Sequence, residues 1–528
     1  LFEAPTVARL ADRARNASVS RNAAPVMQRV DRSEPVRASF AQTRLWFLDQ
    51  LEGATATYNV PIVARLHGAL DAAVLERAVQ ALVDRHETLR TTFVAIDGEP
   101  YQHVQPSARV ALGRVEAASE PEARDAIARE VNAPFDLARG PLLRATLVSA
   151  PAATRASDPG ASSHVLVLCI HHVATDGWSS GVLLRELSSL YSAFARGDGS
   201  PLPPLRVDYA DFAVWQRAWL SGAVLDEQLA FWKQHLAGAP AALELPLDRP
   251  RPATKQHKGG RVSFELPAAA AELVRAMCRR EGVTPFMVLF AAYQIVLSRW
   301  SGQRDVVVGT AIANRVREEL EPIVGFFVNT LALRTTFAED DSFASVVQRV
   351  KQTALTAYSH QDVPFEKLVD ELKVPRDMSR TPLFQAFFVL QNAEGATLEL
   401  GDVRATTEDF DFDIAKFDLS LALAERGDTF GGSLAYDVAL FDRGTMERFA
   451  EHLGVLVEAI TRFRGSGNRA ISSALRSEQL STQGRTVYDK LARLPLPLAE
   501  DQCLRFAFDL KAKPPSAHSP ACRSPAYR

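Results

Sequence analysis

The most informative pattern of hydrophobic and polar positions lies near the end of the first third of the chain. Six apolar residues, 165–170, include several β-branched side chains and predict a strand buried on both faces. From Ser179 onward, apolar residues recur at helical spacing and predict a helix that ends near Gly197. The polar residues between them include two adjacent histidines and an Asp-Gly pair. A strand and a helix can hold such groups rigidly at the mouth of a cleft.

The pattern upstream of this stretch predicts a mixed α and β unit. Residues 59–66 alternate as a strand does, and residues 71–86 have the apolar spacing of an amphipathic helix with Asp71 as its cap. An Asp-Gly pair at 97–98 marks a hairpin turn before a second strand at residues 101–104. We therefore expect strands and helices to be mixed throughout this first part.

A second unit of the same kind follows a proline-rich connector at residues 200–260. Thr284 and Pro285 are expected to open a buried helix as its cap and first residue. Further strands are predicted at 305–309, 325–334, 384–390 and 431–436, and further helices at 342–358, after Pro364, and at 445–463. This layout favours an α+β fold with two lobes of similar size.

Composition limits the possible functions. A chain of 528 residues with 47% hydrophobic and 23% charged residues is typical of a globular protein with more than one core. The formal net charge of -3 gives no reason to expect a nucleic acid or an anionic membrane as a partner. The longest uncharged apolar stretch, 282–298, is interrupted by Pro285 and predicts a buried helix. Four cysteines without close pairing favour reduced thiols, so we expect a cytoplasmic location.

The two ends of the chain differ from its centre. The N-terminal end has a short amphipathic helix pattern followed by a linker without periodicity, and the C-terminal end loses its periodicity after Gly465. We divide the chain into five segments: 1–15, 16–35, 36–205, 206–465 and 466–528. The third and fourth are the two lobes, and we expect the fifth to be poorly ordered. Because the chain begins at Leu1, we expect it to be part of a longer protein.

Three kinds of chemistry fit the polar residues after the buried strand. A metal could bind His171, His172 and Asp176, but adjacent residues of an extended segment point in opposite directions, and no other His or Cys pair has zinc-ligand spacing. A serine hydrolase would use the GxSxG match at 177–181, but six residues separate the strand from that turn, and Ser179 fits a helix cap better. The third is acyl transfer assisted by one histidine.

Acyl transfer gives the two histidines different roles. If the segment is extended, only one of His171 and His172 faces the cleft, and the other is packed as a structural imidazole. Asp176 either steers the catalytic imidazole or locks the loop by pairing with an arginine. We favour the lock, because a loop that carries a catalytic group must be held to within about half an ångström.

The segment HHVATDG, residues 171–177, resembles the HHxxxDG signature of the condensation domains of non-ribosomal peptide synthetases, which chloramphenicol acetyltransferase-like acyltransferases share. Six other stretches resemble that family's successive motifs in the same order: SFAQTRLWFL (39–48), RHETLRTTF (85–93), YADFAVWQ (209–216), VGFFVNTLALR (324–334), HQDVPFEKLV (360–369) and RDMSRTPLFQ (376–385). The similarity covers about residues 35–465. Residues 1–14 resemble the last helix of a peptidyl carrier domain, and residues 466–513 faintly resemble the entry to an adenylation domain.

The resemblance implies a fold and a reaction. The fold would be α+β, with two chloramphenicol acetyltransferase-like lobes that form a V-shaped pseudo-dimer with a tunnel between them. The enzyme would be an acyltransferase that joins a donor aminoacyl or peptidyl thioester to an acceptor aminoacyl amine. No cofactor or metal would be bound by this segment itself, because the substrates arrive on phosphopantetheine arms. The implied partners are donor and acceptor peptidyl carrier domains and a neighbouring adenylation domain.

The resemblance also assigns roles to residues of the motif. His172 occupies the family's catalytic position, and His171 is the supporting imidazole. Asp176 is, with His172, one of the two residues assigned to catalysis, and its expected role is to pair with an arginine. Arg315 is the first candidate for that arginine, and Arg85 and Arg90 are weaker ones. Gly177 would leave room for a carrier arm.

Two rivals share the fold. An epimerisation domain has the same histidine motif but racemises a tethered residue, whereas a non-catalytic docking domain typically has a degraded motif. The stretches RLWFLDQL and FFVNTLALR favour condensation of the L-donor subtype. Large aromatic residues dominate cores, so we expect Trp46, Trp215 and Phe326 to be core residues without a role in the site.

Overall fold

A computed structural model gives the fold of the chain. It describes residue 8 and residues 24–150, 163–338, 341–375, 377–391, 398–407 and 414–462. The predicted segment 466–528 lies outside the described residues, as do nearly all of segment 1–15 and the first part of the predicted linker.

The first lobe contains seven strands and four helices among the described residues. In chain order they are β1 (Val36–Arg37), α1 (Phe40–Glu52), β2 (Asn59–His67), α2 (Ala72–Arg85), β3 (Thr91–Ile96), β4 (Glu99–Val104), β5 (Leu112–Glu116), α3 (Glu120–Asn132), β6 (Leu143–Ala150), β7 (Ser163–His171) and α4 (Gly177–Ala195).

The rest of the described chain supplies eight strands and seven helices. They are α5 (Tyr209–Trp219), α6 (Gly222–His235), β8 (Gly259–Leu266), α7 (Ala268–Glu281), α8 (Pro285–Ser301), β9 (Asp305–Ile312), β10 (Asn329–Thr336), α9 (Phe343–Tyr358), α10 (Phe365–Glu371), β11 (Ala386–Gln391), β12 (Glu399–Leu400), β13 (Val403–Thr407), β14 (Leu419–Arg426), β15 (Thr429–Asp437) and α11 (Arg443–Arg462).

Each lobe is built on a six-stranded mixed sheet. The first sheet has the strand order β12-β13-β2-β7-β6-β5, and the second has the order β10-β9-β11-β14-β15-β8. Neighbouring strands are antiparallel except for the pairs β5–β6, β9–β11 and β11–β14, which are parallel. Strands β1, β4 and β3 form a small third sheet. The predicted α+β class with two lobes is confirmed.

Strand β7 lies inside the first sheet because its side chains are apolar on both faces. Residues 165–170 are at most 2% exposed. The even-numbered positions join the large core of the lobe, whereas positions 165 and 167 pack against α3 on the other face. Strands β2 and β6 flank β7 and place Asn59 opposite His171. The predicted strand buried on both faces is confirmed.

Local capping signals set the starts of two predicted helices. The side chain of Asp71 accepts hydrogen bonds from the first backbone N–H groups of α2. Thr284 caps α8, and Pro285 is the first residue of that helix. Residues 287–298 of α8 are all buried in the core of the second lobe. Among the described residues, no single helix is long and apolar enough to cross a membrane; only α7 and α8 together have that length and composition, and they are bent by 110°.

Segments from beyond the predicted boundary at residue 205 pack on the first lobe. Strand β13, which lies far along the second lobe's sequence, pairs with β2 at the edge of the first sheet, with residues 404–407 opposite residues 64–67. Tyr209 and residues 323–327 also pack into the core of the first lobe. The described part of the predicted linker packs on the same surface, because Pro25 accepts hydrogen bonds from Trp215 and Arg317.

Candidate active site

The motif that follows β7 forms a tight turn between the strand and α4. Residues His172–Ala174 make one turn of 3-10 helix, and α4 begins at Gly177. Asp176 is the N-cap of α4, and its Oδ1 accepts a hydrogen bond from the backbone N–H of Ser179 at 2.8 Å. The prediction that Ser179 caps the helix is wrong, because the helix begins two residues earlier than the apolar spacing indicates.

His171 is a structural imidazole. It is 3% exposed, and its Nδ1 accepts a hydrogen bond from the backbone N–H of Val173 at 3.1 Å, which closes the turn. Its ring packs edge-on against Phe135, with ring centroids 6.0 Å apart. Burial, then the charges of His172 and Lys416, lower the pKa of His171 to about 3. This histidine is therefore neutral at physiological pH.

His172 lies half-buried where the two lobes meet. Its Nδ1 lies 2.7 Å from the carbonyl oxygen of Thr175. A carbonyl can only accept, so Nδ1 carries the proton and Nε2 has a free lone pair. No described residue donates a hydrogen bond to Nε2. The backbone N–H of His172 donates to the carbonyl of Tyr58 at 2.8 Å, which fixes the start of the turn.

The second lobe contributes one aromatic side chain, Phe326, to this site. The ring of Phe326 meets the ring of His172 edge to face, with centroids 4.7 Å apart. Burial, then the nearby charges of Lys416 and Arg44, lower the pKa of His172 to about 3. The imidazole is therefore neutral and weakly basic, and it can accept a hydrogen bond through Nε2.

Asp176 is fully occupied by structural bonds. It is 1% exposed, and its Oδ1 accepts from Ser179 and, at 3.2 Å, from Nη2 of Arg315. Its Oδ2 accepts from the backbone N–H of Phe327 at 3.0 Å. None of its described hydrogen bonds goes to His172. The carboxylate thus ties the turn of the first lobe to the second lobe, which agrees with the locking role rather than the steering role.

Arg315 is the arginine that pairs with Asp176, and the two side chains are each 2% exposed. Its other terminal nitrogen donates to the carbonyl of Ile323 at 2.8 Å, and its guanidinium lies 4.0 Å from the centre of the Phe327 ring. Arg85, one of the two weaker candidates, pairs instead with Glu186. Removing one partner of such a buried pair typically costs about 3–5 kcal/mol, because the other charge is left uncompensated.

The remaining weaker candidate and the serine of the GxSxG match also have other partners. Arg90 donates to the carbonyl of Gln105. Ser179 is fully buried, and its Oγ lies 2.7 Å from Oδ1 of Asp176 and 2.9 Å from the carbonyl of Gly325. It is therefore not an exposed nucleophile at a strand end. Among the described residues, no group of three His, Cys, Asp or Glu side chains is placed to hold a metal ion.

Two glycines near the turn differ in how much space the structure leaves for a side chain. A Cβ at Gly177 would meet nothing within 4 Å, so packing in the described structure does not demand glycine there. A Cβ at Gly325 would lie 2.0 Å from the ring of Tyr209, and the Gly325 N–H donates to Ser179 Oγ at 3.1 Å. This bonding explains why the strand predicted at 325–334 begins four residues late, at Asn329.

Four residues of the site escaped the sequence analysis: Tyr58, Phe326, Arg44 and Lys416. Phe326 was expected to be core, and it is 9% exposed, but its ring edge also lies against the candidate catalytic histidine. Arg44 and Phe326 fall within stretches that resemble family motifs, which was the only available signal. Lys416 had no signal, because it lies at the start of an ordinary apolar strand pattern.

The chain matches known families and proteins over most of its length. The condensation domain family model matches residues 33–472. The chain is 42% identical to malpinin synthetase of Mortierella alpina over 467 residues, which is 87% of this chain and 6% of that protein. It is 40% identical to the phosphinothricin tripeptide synthetase PhsC of Streptomyces viridochromogenes, over 86% of this chain and 42% of that protein. The chain thus spans less than half the length of these relatives.

Solved structures give the same picture of the fold. The X-domain from teicoplanin biosynthesis matches with a TM-score of 0.75 and 30% identity, over 84% of this chain and 98% of that one. The first condensation domain of the calcium-dependent antibiotic synthetase, bound to a substrate analogue, matches with a TM-score of 0.68 and 20% identity, over 82% and 98% of the two chains. The expected acetyltransferase-like pair of lobes is confirmed by these similarities.

Proposed function

Because the chain belongs to the condensation domain family of non-ribosomal peptide synthetases, we propose that it forms an amide bond between two substrates tethered to carrier domains. The donor is an aminoacyl or peptidyl thioester, and the acceptor is an aminoacyl amine, both of the L configuration. The observation that supports this proposal is the placement of His172, whose ring contacts Phe326 of the second lobe and whose Nδ1 lies 2.7 Å from the Thr175 carbonyl, which leaves Nε2 unprotonated.

The reaction needs one bond to form and one to break. The acceptor nitrogen attacks the donor carbonyl carbon, and the carbonyl π electrons move to its oxygen. The oxyanion then collapses, the C–S bond breaks, and the thiolate of the donor arm leaves. The proton lost from the nitrogen ends on that thiolate, so the products are an amide on the acceptor arm and a free donor thiol.

The pKa of His172 indicates that it positions the amine more than it deprotonates it. An α-amine with a pKa of about 7.7–8.0 loses its proton at neutral pH for only about 1 kcal/mol. Protonating an imidazole of pKa about 3 at pH 7 costs on the order of 5 kcal/mol. Accepting a hydrogen bond through Nε2 avoids most of that cost. His172 then accepts the proton only when the attacking nitrogen has become positively charged and strongly acidic.

The substrates must reach His172 from two carrier domains. Gly177, the exposed first residue of α4, has open space where a Cβ would stand, which leaves room for a phosphopantetheine arm. Within the synthetase, the partners would be the donor and acceptor carriers and an adenylation domain, in the cytoplasm. No bound cofactor or metal is needed by the chemistry above.

Replacement of His172 tests the proposal. The His172→Ala variant is expected to form amide about 10²- to 10⁴-fold more slowly than the wild type, because an acid–base or orienting group is lost from the reacting atoms. The measurement is single-turnover transfer between carriers loaded with a panel of L-amino acids, read by mass spectrometry of the acceptor arm. His103→Ala, on an exposed strand position, is the control and should react at the wild-type rate. Near-normal transfer by the His172 variant would refute the assignment.

A docking function is the second candidate, because the chain resembles a solved complex of an X-domain with OxyB at 31% identity and a TM-score of 0.75. The same assay separates the two functions, since a docking domain would leave the acceptor arm unchanged with every donor. An epimerisation domain would also form no amide, but it would change the stereochemistry of a single loaded carrier.

A further inference from the structure

One positive charge near His172 has no part in the mechanism above. Lys416 lies just before β14 in the second lobe, and its chain reaches across to the first lobe. Its Nζ lies 5.3 Å from the centre of the Tyr58 ring, a cation–π contact between the lobes. The backbone carbonyl of Lys416 accepts a hydrogen bond from Lys255, so the backbone at this position is held from the opposite side.

Tyr58 connects this ammonium to the catalytic turn. Its backbone carbonyl accepts the N–H of His172 at 2.8 Å, and its ring centroid lies 6.4 Å from that of His171. The Lys416 ammonium therefore contacts the residue whose carbonyl holds the backbone of His172, whereas Phe326 contacts the His172 ring itself. Consistent with this placement, the charge of Lys416 contributes to the lowered pKa of both histidines.

The charges around the site are unequally compensated. Arg44, the other cation that acts on His172, forms an ion pair with Glu366 at 2.5 Å. The nearest carboxylate in sequence to Lys416, that of Asp418, is bonded to Arg251. Among the described residues, no carboxylate pairs with Lys416. Burial, then repulsion from Arg44, lower the pKa of Lys416 to about 8, so the side chain still carries its charge at pH 7.

A half-buried cation is costly unless a negative charge lies or forms beside it, and none lies beside Lys416 among the residues that the structure describes. Before the thiolate leaves, the proposed reaction places a full negative charge on the carbonyl oxygen of the tetrahedral intermediate. Preorganised positive groups at such an oxygen are commonly the largest single contribution to catalysis. A cation there has a second effect, because it disfavours the ammonium form of the incoming amine and so favours the nucleophilic form.

We propose that Lys416 is a catalytic residue whose ammonium stabilises the oxyanion formed when the acceptor amine attacks the donor thioester. This inference rests on the proposed amide-forming function. As the nitrogen–carbon bond forms, the electron pair of the C=O bond moves to oxygen, beside Lys416, while His172 holds the nitrogen. When the C–S bond breaks, the pair returns to the C=O bond and the negative charge beside Lys416 is lost. Lys416 neither gains nor loses a proton in the cycle.

The test compares charge and shape at this position. Lys416→Met keeps an unbranched side chain one atom shorter and removes the charge, and Lys416→Arg keeps the charge. Lys233→Met is the matched control, since it makes the same change at a half-exposed lysine that pairs with Glu371 on the surface. All variants are assayed by single-turnover transfer at saturating concentrations of both loaded carriers, and thermal unfolding checks that each is folded.

Lys416→Met is expected to slow transfer about 10²-fold at saturation, as the loss of one oxyanion-stabilising group does elsewhere. The carrier concentration at half-maximal rate should not change, because the charge acts in the transition state. Lys416→Arg should retain at least a tenth of the wild-type rate, and Lys233→Met should retain all of it. If Lys416→Met is unstable, Lys416→Gln replaces it in the same assay.

The pH profile gives a second readout. The ionisable groups around this position are Arg44, which is paired with Glu366, Lys255, which donates to the Lys416 carbonyl, Tyr58, and the two neutral histidines. Because Lys416 loses its charge near pH 8, the wild-type rate should fall above that pH. Lys416→Arg, which keeps its charge, should lack this fall.

Several outcomes would overturn the inference. Equal rates for Lys416→Met and the wild type would do so, as would equal losses for the Met and Arg variants, which would indicate shape rather than charge. A loss confined to donors that carry a side-chain carboxylate would make Lys416 a specificity residue instead. If the wild type itself transfers nothing with any loaded pair, the proposed function fails, and that result is distinct from all of these.

Discussion

The two lobes contain the same strand–turn–helix unit, and only one of them carries the candidate chemistry. In the first lobe, β6 and β7 lead through a turn into α4; in the second, β14 and β15 lead through a turn into α11. Leu143 faces Ile170 in one hairpin, and Leu419 faces Tyr436 in the other. The six residues that follow are HHVATD in the first lobe and DVALFD in the second, each ending directly before the helix.

The first residue of each turn does the same structural work. Nδ1 of His171 accepts the backbone N–H of the residue two positions later at 3.1 Å, and Oδ1 of Asp437 accepts the equivalent N–H at 2.9 Å. Both side chains are buried. The comparison shows that the first histidine of the motif stabilises the turn by accepting a backbone hydrogen bond, since an aspartate accepts the equivalent bond in the other lobe.

The second and sixth positions explain why one turn has chemistry and the other does not. His172 corresponds to Val438, which has no group that can hold an amine. Asp176 is buried against Arg315, whereas the carboxylate of Asp442 is 57% exposed and pairs with Arg249 on the surface. The fold provides the turn twice, and the function depends on side chains placed on one copy and covered by the other lobe.

The largest expected contrast is between the two aspartates. Asp176→Asn should lower the free energy of unfolding by about 3–5 kcal/mol, because the Arg315 charge stays buried without its partner. Asp442→Asn should change it by less than about 0.5 kcal/mol, as for other exposed ion pairs. Urea denaturation followed by tryptophan fluorescence measures both. A stable but inactive Asp176→Asn protein would instead show that the carboxylate takes part in the chemistry.

A smaller contrast is expected at the first turn position. His171→Ala leaves the Val173 N–H buried without an acceptor and should cost about 1–3 kcal/mol. His171→Asn supplies an acceptor oxygen, as Asp437 does in the second lobe, and should recover much of that loss. Amide formation by the folded Asn variant should stay close to wild type. A large loss of rate without loss of stability would mean that His171 also acts on the substrates.

The lowered pKa of His171 predicts how stability depends on pH. The unfolded histidine binds a proton below about pH 6.5, but the folded one does so only near pH 3. The unfolded state therefore binds more protons between these values, so stability falls as the pH falls from 6.5 towards 3. His171→Asn should reduce that slope by up to about 1.4 kcal/mol per pH unit. Denaturation midpoints at pH 5 and pH 7 check this, and an unchanged slope would contradict the lowered pKa.

The smallest effect on stability is expected at the helix starts. Gly177→Ala and Gly444→Ala each add a Cβ that meets no atom within 3.5 Å, so both should change stability by less than about 0.5 kcal/mol. If a carrier arm passes Gly177, only Gly177→Ala should slow transfer between carrier-bound substrates. Its rate with a small soluble thioester as donor should stay normal. Equal rates for both variants with loaded carriers would place the arm elsewhere.

Local patterns in the sequence were enough for most of the fold. The buried strand β7, the cap at Asp71 and the Thr284-Pro285 helix start each depend on a few adjacent residues, and each was predicted. The pairing of β13 with β2 was not, because it joins segments more than 300 residues apart and nothing local specifies that register. Interactions between the lobes could not be predicted from the sequence for the same reason.

The residues of the candidate site also differ in whether the sequence could predict them. His172 and Asp176 could be selected because the motif is short and contiguous. Phe326 could not be distinguished from a core aromatic, because its contact with His172 exists only when the lobes meet. Lys416 was missed altogether, since its significance depends on Tyr58 across the junction and on the absence of a paired carboxylate among the described residues.

The strand that the second lobe's sequence adds to the edge of the first sheet limits how the two lobes can move. Residues 404–407 of the second lobe's sequence are hydrogen-bonded to β2, the direct neighbour of the strand that carries His171. The same residues of β2 pair with residues 163–166 at the start of β7, whereas His171 lies at the other end of that strand. Separating the lobes along this edge would break the β13–β2 hydrogen bonds, so the two halves of the sequence stay joined at the end of the sheet remote from the histidines.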